Sequence, residues 1–567
     1  VKSIVLPARL QTILWPLLVF CVAFAGYLAT PRSSQVYSDS RWNIHVALSL
    51  IREGNLDLDE YRRLINPDDY AVQTLHGHQY SFYPIGAPLL AVPFVFVYNL
   101  INPDTFALIG KIHPVAQQVI ASFLTALTAV LIYLIARLTL AIKQSLLVTF
   151  IFAFCTSAWS TASLALWPHG PTILCLTLAL YLFLLARKRP WLAQFAGLPL
   201  AFSYVIRPLN AIAIVFFSLW VFLYYRKYFI RYVGWSLVVA VPFFITNYVT
   251  FSTLFPPQIY SKYANFFSIP SIERLVGPFI SPSRGLLIYS PIFIFSFLGL
   301  YSKLKNFREN YPQAMFCIAN MLDVTLAMIF IAHCLLVSSW AMWYGGYSIG
   351  PRMLVDMAPV LIYFLLPVIP QIFQPFKTIP LLRIAFFVCL TFSFAIQLLA
   401  VRSDAMWGWN NVPTAVDTDQ ARLWDWNDPQ FLRGLNLLYA ILPPGLATQP
   451  AAVNLNCRVG DAGFLSADES QCKTSIELII QPWQAFRWEV NPPPTVKVAP
   501  ARGQDFYKRP RLAIHLTSDF STPGEYNLGE LKISATQKEG AGRSTTILVP
   551  IFLHLQPAAQ RDVLYRP

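Results

Sequence analysis

The chain has 567 residues, 56% of them hydrophobic and only 12% charged, with a mean hydropathy of +0.51. That composition excludes a soluble globular protein. The net charge of +14 would suit a nucleic-acid binder, but the Lys and Arg residues cluster in alternate loops between apolar runs, so most of the charge is topological.

In chain order, the first apolar segment covers about 14 to 30, has no clear small-residue cleavage pattern after it, and reads as a retained membrane helix. Lys2 and Arg9 precede it. Later clusters at Arg137 and Lys143, Arg187 to Arg189, Arg226 to Arg231, Lys303 to Arg308, and Lys377 with Arg383 mark the same, cytoplasmic side. The intervening turns near Leu166, Pro208 and Tyr344 are poor in Lys and Arg and rich in Trp, Tyr, Gly and Pro, which makes them the outer face.

A large first external loop is predicted over 31–113. Within it, Ile44, Val46, Ala47, Leu48, Leu50 and Ile51 fall on one side of a 3.6-residue period, while Arg41, His45, Ser49 and Arg52 fall on the other. Gly54 ends this helix. It is expected to lie flat on the membrane and to hold Asp39 at the water side of the lipid boundary. The acidic stretch NLDLDEY follows, then a hairpin turning at His76-Gly77-His78, then YPIGAPLLAVPF, whose prolines predict a segment that re-enters or skims the membrane.

Further helices are predicted at about 115–136, 145–163, 170–186, 191–206, 209–225, 233–250 and 287–301, one ending near Val337, and two more at about 353–369 and 380–400. Eleven spans put the tail outside. The predicted domains are a transmembrane domain over 1–402, a Trp-rich interfacial linker over 403–449, and an extracytoplasmic domain over 450–567. Short alternating strands separated by Pro and Gly make that last domain a small β-sandwich. Six cysteines lie in apolar segments and read as packing residues; Cys457 and Cys472 lie in the tail, where an external location makes a disulfide between them an expectation of topology. The fold class is thus a polytopic α-helical protein of the plasma (inner) membrane with a C-terminal β-rich domain.

Arg207, Arg284 and Arg352 stand at helix ends on the face where cations are otherwise avoided. An arginine held there can bind an anion bidentately, and phosphate is the anion a membrane offers. Snorkelling to the interface, or an i,i+4 pair of Arg352 with Asp356, explains any one of them as readily. Asp39 doubles as a candidate N-cap, with Ser38 and Ser40, and as a candidate carboxylate base. His169 begins a helix on the outer face and is a candidate for the same phosphate. Arg41, His45, Asp57 and Asp59 are secondary candidates, for an acceptor. Asp57-Leu-Asp59 has the form that holds a metal-bound nucleotide diphosphate, but outside the cytoplasm no nucleotide donor is at hand, and a solvated acidic loop accounts for it; His76 and His78 are explained by their turn. Asp323 and His333, inside an apolar helix, predict pairing within the bundle.

In this order, an acid and amphipathic helix (Asp39 to Gly54), YSFYPIGAPLLAVPF, WPHGP, IRPLNA, SPSRGLLIYSP and WYGGYSIGPRML resemble the GT-C membrane glycosyltransferases over roughly residues 10 to 400. The likeness is to the bacterial branch of protein O-mannosyltransferases and the aminoarabinose transferase of lipid A. It implies inverting transfer of a sugar from a polyprenyl-phosphate donor to a protein, lipid or cell-wall glycan acceptor, with Asp39 as general base. Many members carry a second acid directly after the first; here Ser40 occupies that position, which counts against a two-carboxylate or Asp-assisted metal site, so no cofactor is firmly implied and a divalent metal stays an open but unsupported alternative. Two other readings compete: a carrier or flippase for a lipid-linked or anionic substrate, and a scaffold with an inactive core. Matched halves and broken mid-membrane helices would mark a carrier, whereas this chain loads its polar residues at one face.

Overall fold

The structure, a computed structural model, describes residues 8–30, 34–66, 69–101, 114–255, 267–311, 313–374, 380–411, 414–435, 445–449, 452–458, 473–481, 486–503, 511–517, 522–537 and 544–556. The chain divides into two compact units, one of Val1–Trp407 with Gln420–Gly434, the other of Gly408–Asp419 with Leu435–Pro567. The stretch expected as a linker over 403–449 is therefore shared between them.

The first unit is a helical membrane domain. Among the described residues, six helices are long and apolar enough to cross a bilayer: Gln11–Leu28, Val115–Arg137, His169–Ala186, Arg226–Phe251, Ile318–Ser339 and Pro380–Arg402. Other segments expected as single spans are broken. The run predicted over 145–163 is a helix, Ile142–Phe154, followed by a π-helical turn, Ala158–Ala162. The one predicted over 191–206 joins a 3-10 segment, Pro190–Ala196, to a helix, Gly197–Ile206. The one predicted over 287–301 is interrupted at Ser290-Pro291, and 353–369 opens with a 3-10 turn, Arg352–Met357, before Ala358–Leu365. Proline removes a backbone donor and disfavours helix in the residue before it, which accounts for the break at Pro291 and for the expected turn at Pro208.

Small residues let the helices approach closely. Ala126, Ala129 and Ala136 on the helix Pro114–Arg137 share one core with Val19, Ala23 and Tyr27 of the first helix. Inside the bundle, Asp323 accepts hydrogen bonds from Lys303 Nζ (2.9 and 3.0 Å) and from the Tyr363 hydroxyl, and His333 Nε2 meets the Met353 carbonyl at 3.0 Å. Pairing within the bundle is what their positions predicted.

The amphipathic helix forms over Asn43–Arg52, and Gly54 ends it with φ +72°. It does not lie on an open surface. Ile44, Ala47 and Leu48 pack against Ala87, Ala91 and Val95 of the helix Gly86–Ile101, while Trp42 and Val46 pack against Leu56, Leu58 and Ala71. His45 and Ser49, expected on its wet face, are buried. The hairpin forms as β1 (Val72–Leu75) and β2 (His78–Ser81), with positive φ at His76 and Gly77. The stretch from Gly86 to Ile101 is a 16-residue helix with Pro93 inside it, about 24 Å long, too short to span alone.

The second unit is a β-sandwich. Its strands are β3 (Gly445–Gln449), β4 (Val453–Arg458), β5 (Lys473–Gln481), β6 (Phe486–Asn491), β7 (Val496–Ala499), β8 (Arg502–Gly503), β9 (Arg511–Leu516), β10 (Gly524–Gln537) and β11 (Ser544–Gln556). One sheet has the order β4-β11-β10-β6-β8 and the other β3-β5-β9-β7. Alternate residues of both, such as Leu512, Ile514 and Leu516 against Leu531, Ile533 and Ile551, make a single core. Cys457 is disulfide-bonded; Cys472 lies outside the described residues.

Candidate active site

Three X-Pro corners place the key side chains. Arg207 precedes Pro208 and is forced into an extended conformation (φ −153°, ψ 110°), which stops the helix Gly197–Ile206 and turns its side chain off the helix axis. Pro168 sits directly before His169 at the start of the helix His169–Ala186, and Pro351 directly before Arg352. The loop before Arg352 carries Gly345, Gly346 and Gly350, all with positive φ.

These corners converge on Asp39. Its carboxylate forms an ion pair with Arg352 and accepts a hydrogen bond from the Tyr70 hydroxyl at 3.2 Å, and the Tyr83 hydroxyl stands beside it. The Arg352 guanidinium lies 3.7 Å from the centroid of the Trp167 ring, donates from Nε to His169 Nε2 (3.2 Å) and from Nη1 to the Gly345 carbonyl (3.2 Å). Behind it, His169 Nδ1 lies 2.8 Å from Asp356 Oδ1, and Arg207 pairs with Asp356 Oδ2 while lying 2.9 Å from His169 Nδ1. Asp39, Arg352, His169, Arg207 and Asp356 thus form one continuous network, and its innermost member, Asp356, is fully buried.

Asp39 is not the N-cap of the helix that follows. Trp42 takes that position without a side-chain cap bond, because a further turn separates Asp39 from the helix. Nor does Arg352 pair with Asp356: each acid has its own arginine. Burial would raise the Asp39 carboxyl, but the Arg352 charge and its hydrogen bond outweigh it and hold the group below the usual carboxylate range. Tyr83 is driven well up, by burial first and then by the Asp39 charge, so its hydroxyl stays protonated.

Arg284 is set differently. It is buried, and donates to the carbonyls of Tyr344 (3.0 Å), Gly346 (3.1 Å) and Ser283 (2.9 Å) and to Gln430 Oε1 (2.8 Å). It pins the glycine loop whose Gly345 carbonyl receives Arg352. Arg41 reaches the Ser38 carbonyl (3.1 Å) and Asp69 (3.2 Å) and lies over the Tyr70 ring, so it braces the loop that brings Tyr70 to Asp39. His45 is enclosed between the Trp42 and Tyr61 rings (centroids 4.9 and 4.6 Å away), where burial pushes its pKa down to about 4.

Asp57, Asp59 and His78 come together with ligand atoms within 4.8 Å of one another, a grouping able to hold a metal ion. Asp59 already accepts from His78 Nδ1 (2.7 Å), Arg62 Nε (3.1 Å) and the Gln79 amide (3.0 Å), which accounts for the cluster without one. A cavity of about 950 Å³ opens beside Asp57 and His78, walled by Phe202, Val205, Pro242 and Phe243. Its lining reaches Val205, two residues before Arg207.

Sequence reasoning missed Asp356, Tyr70, Tyr83 and Gln430 as members of the site. Asp356 had a signal, being an acid at the end of an apolar run, costly unless paired. The tyrosines had none, since nothing in their spacing relates them to Asp39.

No family model and no curated protein sequence matches the chain. Among solved structures it is similar to that of ArnT from Cupriavidus metallidurans bound to undecaprenyl phosphate, with a TM-score of 0.42 and 12% identity over 76% of this chain and 74% of that one. It is also similar to the archaeal oligosaccharyltransferase AglB from Archaeoglobus fulgidus in complex with an inhibitory peptide and a dolichol-phosphate (TM-score 0.42, 12% identity, 73% of this chain and 60% of that one). A structure of the Archaeoglobus fulgidus oligosaccharyltransferase in complex with Zn and sulfate gives a TM-score of 0.42 at 13% identity, over 73% of this chain and 57% of that one. The chain therefore spans less than two thirds of those two oligosaccharyltransferase chains.

Proposed function

We propose that the chain is a membrane glycosyltransferase that moves a sugar from a polyprenyl-phosphate donor to a protein, lipid or glycan acceptor on the extracytoplasmic face. The observation that carries this reading is the pairing of one partly accessible carboxylate, Asp39, with the Arg352 guanidinium, in a network that continues through His169 and Asp356 to Arg207. In the reaction the acceptor oxygen attacks the anomeric carbon, the bond from that carbon to the phosphate oxygen breaks, and the phosphate leaves with the electron pair. Asp39 takes the acceptor proton. The arginines stabilise the charge that grows on the phosphate. When the phosphate draws Arg352 to itself, Asp39 loses its counterion and becomes a stronger base. The cavity beside Asp57 and His78 has an apolar wall of Phe202, Val205, Pro242 and Phe243 that offers room for a hydrocarbon chain. The orientation rests on the Lys and Arg asymmetry of the loops.

The test is a comparison of cells with and without the protein. Loss of the protein is expected to leave a polyprenyl-phosphate sugar undischarged and to remove one glycan, lipid or protein modification. An unchanged profile of lipid-linked sugars and of glycans contradicts the reading.

A further inference from the structure

Asp356 has no exposed surface, so it cannot touch a substrate; whatever it does, it does through its neighbours. Two of them are His169 and Arg207, and a third, Arg352, is reached through the imidazole.

The hydrogen-bond partners select one form of His169. If the proton sits on Nδ1, it is donated to Asp356 Oδ1 at 2.8 Å, Arg207 donates to Asp356 Oδ2, and the lone pair on Nε2 accepts from Arg352 Nε at 3.2 Å. Arg207 Nη1, 2.9 Å from Nδ1, is then satisfied by Asp356 alone, and its approach to Nδ1–H is the one unfavourable contact of this form. If the proton sits on Nε2 instead, Nδ1 accepts from Arg207 Nη1, but Nε2–H faces the Arg352 Nε–H, and Asp356 Oδ1 loses its donor and meets the Nδ1 lone pair inside a buried site, two unfavourable contacts against one gained. A doubly protonated ring faces the same clash.

We infer that Asp356 is a positioning residue: it fixes His169 as the neutral Nδ1–H tautomer, and the Nε2 lone pair so presented holds the Arg352 guanidinium between Trp167 and Asp39. Both imidazole nitrogens are then occupied, so His169 acts as the anchor of an arginine and not as a ligand of the phosphate. The pair assigns each acid a separate task. Asp39 faces the reacting groups, and Asp356 sets the geometry of the cations from behind. The link to catalysis rests on the glycosyltransferase reading; the tautomer does not.

The experiment uses the intact protein in detergent, labelled with 15N-histidine, with the His169 signal identified by its loss in His169→Asn. A neutral Nδ1–H tautomer is expected. An Nε2–H tautomer, or a charged ring, at neutral pH overturns the proposal, and the tautomer itself is read in the wild-type protein. Binding of farnesyl phosphate, a short polyprenyl monophosphate, supplies the second readout: Asp356→Asn is expected to weaken it by about tenfold or more, because the amide turns a donor toward Arg207. Asp356→Glu should recover part of the loss, and equal affinity in wild type and Asp356→Asn would overturn the positioning role. Failure of the wild type itself to bind the probe would overturn the donor reading, and the tautomer would still decide the proposal for Asp356.

Discussion

Arg352 makes more of its planar shape than of its charge. It stacks on Trp167 while donating to Asp39, His169 and the Gly345 carbonyl, a set of directions that a lysine ammonium cannot reproduce. Arg352→Lys is therefore expected to weaken polyprenyl-phosphate binding by about tenfold or more despite keeping the charge, and Arg352→Gln by more still. Titration calorimetry with farnesyl phosphate measures both, and equal affinity in wild type and the lysine variant would refute this use of the guanidinium. The same ion pair sets a pH dependence. Since Arg352 keeps Asp39 ionised below the usual carboxylate range in the free protein, the acid limb of kcat/KM should lie below that range. In the donor complex, with Arg352 drawn to the phosphate, the acid limb of kcat should move to higher pH. Coincident limbs would show that the pair does not open during the reaction.

At the scale of elements, the helix Gly86–Ile101 meets the end of the helix Gly197–Ile206 with no space between backbones. A Cβ at Gly86 would lie 2.5 Å from the Ile206 backbone. Backbone cannot yield as a side chain does, so Gly86→Val is expected to cost roughly 1–3 kcal/mol and to loosen the first loop from the Arg207 corner. A lower unfolding temperature in detergent, together with weaker farnesyl phosphate binding, is the expected result. The amphipathic helix carries its own pH sensitivity through His45. Its pKa, depressed to about 4 by burial, is below the unfolded value of about 6.5, so the unfolded chain binds more protons between the two. That contribution to stability is complete above about pH 6.5 and declines as the pH falls toward 4. His45→Phe should flatten this part of the profile, as followed by thermal unfolding at several pH values.

Across the whole molecule, the division into apolar helical and β-rich parts was legible because bilayer length and strand alternation are local properties of sequence. So were the hairpin at Gly77, the helix stop at Gly54 and the pairing of Asp323 inside the bundle. The breaks in the helices were only half legible: the turn at Pro208 was expected, but the apolar run over 287–301 predicted an unbroken helix through Pro291, and the π-helical turn at Ala158–Ala162 contains no residue that demands it. The amphipathic helix misled because its pattern shows one apolar face, while a neighbouring loop and helix cover both. The site was legible as a set of unusual ions, Asp39, Arg207 and Arg352, and not as a network. Which acid pairs with which arginine depends on contacts 149 and 313 residues apart in sequence.

The most direct measurement of the central claim is single-turnover sugar release by the purified protein from a radiolabelled polyprenyl-phosphate sugar in the presence of a membrane extract as acceptor source, for wild type and Asp39→Asn. Asn keeps the shape of the side chain and the Tyr70 contact but cannot take a proton. Transfer by the wild type and a loss of at least about 100-fold in the variant, with donor binding retained, is the predicted result. Undiminished transfer by Asp39→Asn would contradict the account.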